Sequence, residues 1–243
     1  MDRLNALMER FEMDIEPAAP EAANLLILGD EVGQPCHVVL RGQPDGRCGD
    51  RVVFAARVSW GGIANPLMQA LPAAVEMPLK DSPELVGLIA FLQAEIEGNH
   101  CGGPTVQRRL GEVLMVRLLR HQISRGSTEP GVLAGLSDLR VARALVAIHD
   151  RPGHGWTNAD LAQEAGLSLS RFSELFAAAV GMTPMAYLRH WRLTVAHQDL
   201  VRGDRVEQVA RRYGYGSSEG FSRAFRARFG VNPVAMRQPR AAA

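Results

Sequence analysis

Apolar positions in the C-terminal half of the chain recur at helical spacing, and the pattern occurs twice. An apolar helical face reappears 49 residues further along the chain, followed by the same glycine and proline. The corresponding positions are Phe172 and Phe221, Phe176 and Phe225, Gly181 and Gly230, and Pro184 and Pro233. The pattern therefore predicts two related helical repeats.

The first repeat is predicted to contain a short helix, a tight turn and a second helix. Thr157 or Asn158 is placed to cap the short helix, and Gly166 is placed to end it. Ser168 then opens a helix that buries Phe172 and its apolar neighbours. A unit of this kind lays its second helix in the major groove of DNA.

The second repeat follows the same plan. Asp204 and Glu207 have the spacing of a capping box, which predicts the start of its short helix. Gly214 is expected to make the turn, and Ser217 is expected to start the second helix. A long helix over about 184–200, with a proline at its first position, is predicted to join the repeats.

The N-terminal half begins with a different pattern. Apolar spacing over residues 3–13 predicts a short amphipathic helix, and a link rich in Pro and Ala follows over 16–23. Three β-like runs separated by turn-rich segments come next, at 24–28, 37–40 and 52–58. These runs predict a small β unit.

Two helices are predicted to follow the β unit. The first begins at Pro83 after the potential cap Ser82 and runs to about residue 97. The second runs over about 104–124, and a short Gly-rich connection lies between them. The short connection predicts an antiparallel helix pair.

Charge divides the chain at about residue 135. The C-terminal part holds 15 Arg and no Lys against 9 Asp and Glu, a net charge of +6. The N-terminal part holds 12 basic and 17 acidic residues, a net charge of −5. Only the C-terminal part is suited to a polyanion such as DNA.

Several spaced motifs in the C-terminal part occur together. They are Trp156-Thr157, Ala162, Gly166-Leu-Ser168, Gly181-Met-Thr-Pro-Met-Ala-Tyr187, Trp191-Arg-Leu-Thr-Val-Ala196, Gly214-Tyr-Gly-Ser217, Phe221-Ser-Arg-Ala-Phe225 and Gly230-x-x-Pro233-x3-Arg237. With these motifs, the chain over about 138–237 resembles the tandem helix-turn-helix DNA-binding domain of AraC-family transcriptional regulators. The resemblance implies a sequence-specific DNA-binding protein.

A second group of motifs lies in the N-terminal part. It comprises Asn65-Pro-Leu-Met-x2-Leu-Pro72, Gly102-Gly103 and the stretch from Arg109 to Arg120. These are similar to the cupin-type subset of the same family, although the β region is short for a full barrel and lacks an H-x-H metal motif. The expected fold class is α+β: a small cupin-like β unit plus a helix pair, followed by an all-α tandem helix-turn-helix domain.

Three segments are expected along the chain. Residues 1–125 would form a regulatory domain, including a two-helix dimerisation segment, and residues 126–137 would form a linker. Residues 138–243 would form the DNA-binding domain.

Exposed positions near the start of each second helix are the candidates for reading bases, and they match the family's base-contacting positions. They are Ser170, Arg171, Ser173 and Glu174 in the first repeat, and Ser218, Glu219, Ser222 and Arg223 in the second. Arg can pair with guanine, Glu can accept from cytosine, and Ser can bond a base or a phosphate.

Two positions on these helices depart from the family pattern. Glu174 stands where other members often carry a cationic or amide side chain, and Gly220 has no side chain, so the exact base preference does not transfer. Five further arginines are expected to contact phosphate: Arg211, Arg212, Arg226, Arg228 and Arg237.

Cysteine and histidine are the candidate sensor residues of the N-terminal half. Cys36-His37 and His100-Cys101 are adjacent pairs, and Cys48 is the third thiol. Thiolate and imidazole suit zinc or copper, and an exposed thiol of low pKa suits an oxidant sensor. A small-molecule effector in the β unit, or inert buried cysteines, explains the same residues.

The leading hypothesis is a DNA-binding transcriptional regulator, with an activator expected, and not an enzyme. Its expected partners are double-stranded DNA, RNA polymerase and a second copy of the chain. A DNA-repair alkyl acceptor can carry the same DNA-binding module, but that class requires a four-cysteine zinc cluster, and this chain has 3 Cys. A nonspecific nucleoid binder is the other alternative. The absence of a long apolar run or a signal peptide predicts a soluble, cytoplasmic protein.

Overall fold

The computed structural model describes residues 4, 7–8, 11, 13–42, 51–60, 74–98, 100–126 and 130–236. Contacts divide the chain into two compact units. One, here called the sheet unit, comprises residues 11–129, and the other, the helical unit, comprises residues 1–10 and 130–243.

The sheet unit contains a five-stranded antiparallel sheet in the order β1-β4-β2-β3-β5. Its strands are β1 Met13–Pro17, β2 Leu25–Gly29, β3 Pro35–Arg41, β4 Val52–Trp60 and β5 Ala74–Pro78. Leu25, Leu26 and Ile27 are all fully buried, so the central strand β2 is covered on both faces. The side-chain amide of the buried Asn24 donates to the Val58 carbonyl at 3.0 Å and accepts from the Val58 amide at 2.7 Å.

The three predicted strands are confirmed, whereas β1 and β5 were not predicted. β1 has only two apolar residues and ends in a proline, and Met13 also fits the helical spacing of the preceding stretch. The predicted helix over 3–13 is therefore wrong at its end, where Met13 pairs with Trp60 of β4. Leu7 and Met8 are helical, and most of that range lies outside the described residues.

Both predicted helices of the sheet unit are confirmed, as α1 Pro83–Gly98 and α2 Gly103–Arg125. Glu84, near the start of α1, forms an ion pair with Arg117 towards the end of α2. Gln107, near the start of α2, donates to the Glu95 carbonyl near the end of α1 at 3.4 Å, so the two helices run antiparallel. α2 also packs on β1 so closely that a Cβ on Gly111 would lie 2.9 Å from the Ile15 side chain.

The helical unit is built from short helices around one long one. They are α3 Val132–Ser137, α4 Leu139–Asp150, α5 Asn158–Ala165, α6 Leu169–Val180, α7 Pro184–Val201, α8 Val206–Arg212, α9 Ser218–Phe229 and α10 Pro233–Met236. α7 contacts α4, α5 and α6 as well as α8, α9 and α10. It is capped by the Thr183 hydroxyl, which accepts from the Ala186 amide at 3.4 Å, as the sequence predicted.

The range expected to be a linker, 126–137, contains the helix α3. Val132, Leu133 and Leu136 are buried in the helical unit, and the Gly131 amide donates to the Ala179 carbonyl at 2.9 Å. The predicted linker therefore ends before residue 130, and 127–129 lie outside the described residues. Among the described residues, no helix is both long and apolar enough to cross a membrane.

Candidate DNA-binding surface

The first repeat is opened by a reciprocal cap. The Thr157 hydroxyl accepts from the Asp160 amide at 3.2 Å, and the Asp160 carboxylate accepts from the Thr157 amide at 2.9 Å. Thr157, rather than Asn158, therefore caps α5, and its hydrogen bonds lower the pKa of Asp160. Gly166 then adopts a left-handed backbone (φ 69°), which glycine tolerates best, and turns the chain into α6.

Helix α6 buries its aromatic residues and exposes its candidate base-reading residues. Phe172 and Phe176 have no exposed surface, which confirms that they belong to the core. Ser170, Arg171 and Glu174 are exposed and Ser173 is half-buried. The Arg171 guanidinium lies 3.7 Å from the Glu174 carboxylate, so the only cation of this group has an anionic neighbour.

The second repeat presents α9 in the same way. Gly214 is left-handed (φ 75°), and the Ser217 hydroxyl accepts from the Gly220 amide at 3.1 Å. Phe221 and Phe225 are fully buried. On the opposite face Glu219 and Arg223 are exposed, and Ser218 and Ser222 are half-buried. Arg223 forms no ion pair with another described residue, so no carboxylate of this part of the chain competes with an outside partner for its guanidinium.

The capping box predicted at Asp204 and Glu207 is wrong. Arg205 is the residue before α8, and its side chain makes no capping hydrogen bond. The Asp204 carboxylate instead accepts from the Arg212 guanidinium at 2.7 Å, because a charge-assisted hydrogen bond is stronger than a bond to a backbone amide.

Arg212 is also bound by a second carboxylate. Asp199 of α7 is buried, and it accepts from Arg212 and, at 2.6 Å, from the Tyr213 hydroxyl. These two carboxylates raise the pKa of Arg212. Arg212 therefore fastens α8 to α7, while its side chain stays 48% exposed, and the phosphate contact expected for it stays a prediction.

The other arginines expected at phosphate have different surroundings. Arg226 donates to the Asn232 side chain at 2.8 Å, and Arg228 lies over the Phe229 ring, 5.9 Å from its centroid. Both are exposed, as is Arg211, and Arg237 lies outside the described residues. Their contact with phosphate stays a prediction.

A buried histidine beneath the first repeat was not predicted. His149 of α4 lies 2.6 Å from the Tyr187 hydroxyl and packs on the Trp191 ring, with centroids 4.3 Å apart. Burial lowers its pKa to about 3, so it is neutral at neutral pH. Its spacing from Leu145 places it on the apolar stripe of α4, and this was the signal available in the sequence.

The two parts of the chain match known families. Residues 161–239 match a family described as a helix-turn-helix domain, and residues 15–124 match a family described as cupin. An AraC-like transcription regulator of Streptomyces antibioticus is 32% identical over 171 residues, which are 69% of this chain and 56% of that protein. The chain belongs to the AraC family.

Other members show the same extent of similarity. The HTH-type transcriptional regulator AlkR of Acinetobacter baylyi is 32% identical over 182 residues, which are 72% of this chain and 59% of that protein. The chain thus spans little more than half the length of these AraC-family relatives. A solved AraC-type regulator from Chromobacterium violaceum is 24% identical, with a TM-score of 0.40, and covers 42% of this chain and 91% of its own.

The candidate sensor residues of this AraC-family chain lie at separate places in the sheet unit. Cys36 of β3 is half-buried, with its Sγ 3.3 Å from His37 Nδ1 and 3.4 Å from the Leu28 carbonyl oxygen. His100 and the exposed Cys101 lie in the connection between α1 and α2.

The structure does not join these pairs into one metal site. Within the described ranges there is no group of three or more His, Cys, Asp or Glu that could hold a metal ion. Cys48, the third candidate sensor thiol, lies outside those ranges. A zinc or copper site built from both pairs therefore has no support in this part of the chain.

Proposed function

We propose that the protein is a sequence-specific transcriptional regulator that binds double-stranded DNA through both helix-turn-helix repeats. The observation that carries this proposal is the pairing of α6 and α9. Each buries two phenylalanines and presents short polar and charged side chains on its opposite face. Membership of the AraC family, whose related proteins are named as transcription regulators, supports it.

The length of α7 suits this mode of binding. Its 18 residues make a helix of about 27 Å, which approaches the roughly 34 Å between successive turns of the major groove on one side of DNA. With the first repeat packed along one part of α7 and the second along another, α6 and α9 would enter successive turns of the groove.

The base-reading roles are assigned by exposure and chemistry. Arg171 and Arg223 would pair with guanine, Glu174 and Glu219 would accept from cytosine, and the serines would bond bases or phosphates. The exposed Arg211 would contact phosphate and position the protein without specifying sequence.

The sheet unit would carry the signal and the dimer contact. Val86 and Phe91 of α1 and Val113 of α2 are between 49% and 57% exposed, which suits an apolar contact with a second copy. A homodimer would place two tandem repeats on repeated DNA sites. The protein would act in the cytoplasm as an activator that recruits RNA polymerase.

Three kinds of signal remain to be compared. The first is thiol oxidation or metal binding at Cys36, Cys48 or Cys101, and Cys101 is the most accessible described thiol. The second is a small molecule bound by the cupin-like sheet. In the third, the cysteines are inert and the signal acts elsewhere.

Selection of binding sites from randomised duplex DNA tests the proposal. The purified full chain should enrich a defined site with two conserved boxes about one helical turn apart. Selection repeated after thiol oxidation and after metal chelation separates the kinds of signal. A change in affinity with either treatment supports the cysteines, and indifference to both directs the search to small molecules.

Three outcomes would change this reading. Failure to enrich any sequence, with equal affinity for all duplexes, would leave a nonspecific binder. A monomer in sedimentation, with or without the enriched DNA, would refute the homodimer. Transcription in vitro that falls when the protein is added to a promoter carrying the site would show a repressor.

A further inference from the structure

The loop that precedes α5 touches the turn of the second repeat. This loop, residues 151–156, belongs to the first repeat. A Cβ on Gly153 would lie 2.1 Å from the Arg212 carbonyl oxygen, and a Cβ on Gly214 would lie 3.4 Å from the Gly153 carbonyl oxygen. The two backbones therefore approach so closely that only glycine fits at residue 153.

Arg192 of α7 holds this loop in place. Its Nε donates to the Pro152 carbonyl at 2.7 Å, and its Nη2 donates to the His154 carbonyl at 2.7 Å. The same guanidinium lies 3.3 Å from the position that a Cβ on Gly214 would take. One side chain thus fixes the loop on both sides of Gly153 and packs on the turn of the second repeat.

This contact adds a second connection between the repeats. Over the continuously described stretch 130–236, none of α4, α5 and α6 makes an extensive contact with α8 or α9. The helix α7 is the covalent connection, and long helices are rarely straight and curve gently along their length. A joint at a second point resists rotation of one repeat against the other.

We infer that Arg192, Gly153 and Gly214 form an inter-repeat joint that sets the spacing and angle between α6 and α9. The joint would thereby determine which separation of the two DNA boxes the protein accepts. Arg192 is on this account a positioning residue for sequence recognition. The inference rests on the proposed function, because only binding by both repeats makes their separation matter.

Spacing selectivity is the first readout. Affinity is measured for the selected site and for versions with one base pair added or removed between the boxes, which rotates one box by about 34°. The wild type should lose about tenfold or more in affinity on the altered sites, and Arg192→Met and Gly153→Ala should lose about threefold or less. The readout is the ratio of the affinity for the selected site to the affinity for each altered site. A general loss of stability or charge lowers all of these affinities together and leaves the ratio unchanged.

Two matched controls separate the joint from nearby effects. Arg189 lies exposed on α7, so Arg189→Met removes the same charge and leaves both Arg192 hydrogen bonds to the loop in place. A Cβ on Gly155 meets no atom within 4 Å, so Gly155→Ala changes the same loop without crowding the joint. Both control variants should keep the wild-type ratio.

A second readout does not depend on DNA. Ala178 and Ala227 are exposed and correspond in the two repeats, so spin labels on cysteines at these sites report the distance between α6 and α9. The labels are placed in the full chain with Cys36, Cys48 and Cys101 replaced by Ala. Arg192→Met and Gly153→Ala should broaden the distance distribution, and the control variants should not.

The outcomes are separable. A wild type without a two-box site would overturn the proposed function, while an unchanged distance distribution in both joint variants would overturn the joint. Wild-type spacing selectivity in a folded Arg192→Met protein would also overturn it. If Arg192→Met does not fold, Gly153→Ala is used for both measurements, the spacing selectivity and the distance between the spin labels.

Discussion

The two helix-turn-helix repeats bury the same aromatic residues but are fastened by different polar contacts. Phe176 and Phe225 correspond at the 49-residue offset, and neither has exposed surface. The first repeat opens with the reciprocal cap of Thr157 and Asp160. The second has no such cap and is fastened by the carboxylates around Arg212. The repeat therefore preserves helix packing and not the polar contacts at the helix ends.

The exposed faces of α6 and α9 differ in charge. At the same offset Arg171 corresponds to Gly220, and Glu174 corresponds to Arg223. The first repeat thus presents an arginine beside a glutamate, and the second presents an arginine without an ionic partner among the described residues. We expect the second repeat to contribute more of the electrostatic affinity for DNA.

The largest expected effect concerns the part that the repeats share. Phe176→Ala and Phe225→Ala should each lower the free energy of unfolding by about 3–5 kcal/mol, because each leaves a cavity in a packed core. Chemical denaturation monitored by circular dichroism measures this. Ala178→Ser and Ala227→Ser on the exposed faces serve as controls. A loss below 1 kcal/mol in only one of the phenylalanine variants would show that the two cores are not equivalent.

The second-largest expected effect is a difference between the repeats in how much stability a corresponding aspartate contributes. Asp199→Ala should cost about 1–3 kcal/mol of unfolding free energy, because it removes the buried carboxylate that accepts from the Tyr213 hydroxyl and from Arg212. Asp150 corresponds to Asp199 at the 49-residue offset but is exposed, so Asp150→Ala should change stability by less than about 0.5 kcal/mol. Equal effects in denaturant titrations would contradict the asymmetry.

Acid should weaken the first repeat through His149. Its folded-state pKa of about 3 lies below the usual value near 6.5, so the unfolded chain takes up a proton that the folded chain excludes. Stability should therefore fall as pH drops below about 6.5 and continue to fall towards pH 3, with a loss of about 2 kcal/mol between pH 7 and pH 5.

Unfolding free energies of wild type and His149→Gln over this pH range measure the effect. Partial burial also lowers the pKa of His190 and His197, so the variant should reduce the pH dependence without removing it. An unchanged pH dependence in His149→Gln would assign the effect to other groups.

The smallest expected effect lies at the helix starts. Thr157→Ala should cost about 1 kcal/mol of unfolding free energy, because it removes the hydroxyl that accepts from the Asp160 amide. Arg205 stands at the corresponding end of α8 without a capping bond, and Arg205→Ala should change stability by less than 0.5 kcal/mol. A larger loss at Arg205 would reverse the comparison of caps. Thermal unfolding of Thr157→Ala and Arg205→Ala measures the two losses of stability.

Apolar periodicity predicted α5 to α9 of the helical unit well, because each of them buries apolar residues on one face. It missed α3, which lies in the range expected to be a linker. It predicted β2, β3 and β4 because each strand contains a run of three or more apolar residues. It failed at β1, where five residues with a final proline give too little signal to distinguish a strand from a helix end. Strand pairing with Trp60, which is distant in sequence, decides that segment.

The polar contacts were harder to predict than the core. Asp204 and Glu207 satisfy the spacing rule for a capping box, yet Arg212, eight residues further on, takes the Asp204 carboxylate. The close contact at Gly153 could not be predicted from the sequence for a related reason. A glycine in a loop has many explanations in sequence, and only the position of the Arg212 carbonyl shows which one applies.

The most direct test of the central claim is to repeat the selection from randomised DNA with Arg171→Ala and Arg223→Ala. Each variant should lose base preference in a different one of the two boxes and retain it in the other, and Arg223→Ala should cost about 1–3 kcal/mol on the selected site. A loss of the same size on selected and random DNA, with both boxes still enriched, would contradict base reading by these helices.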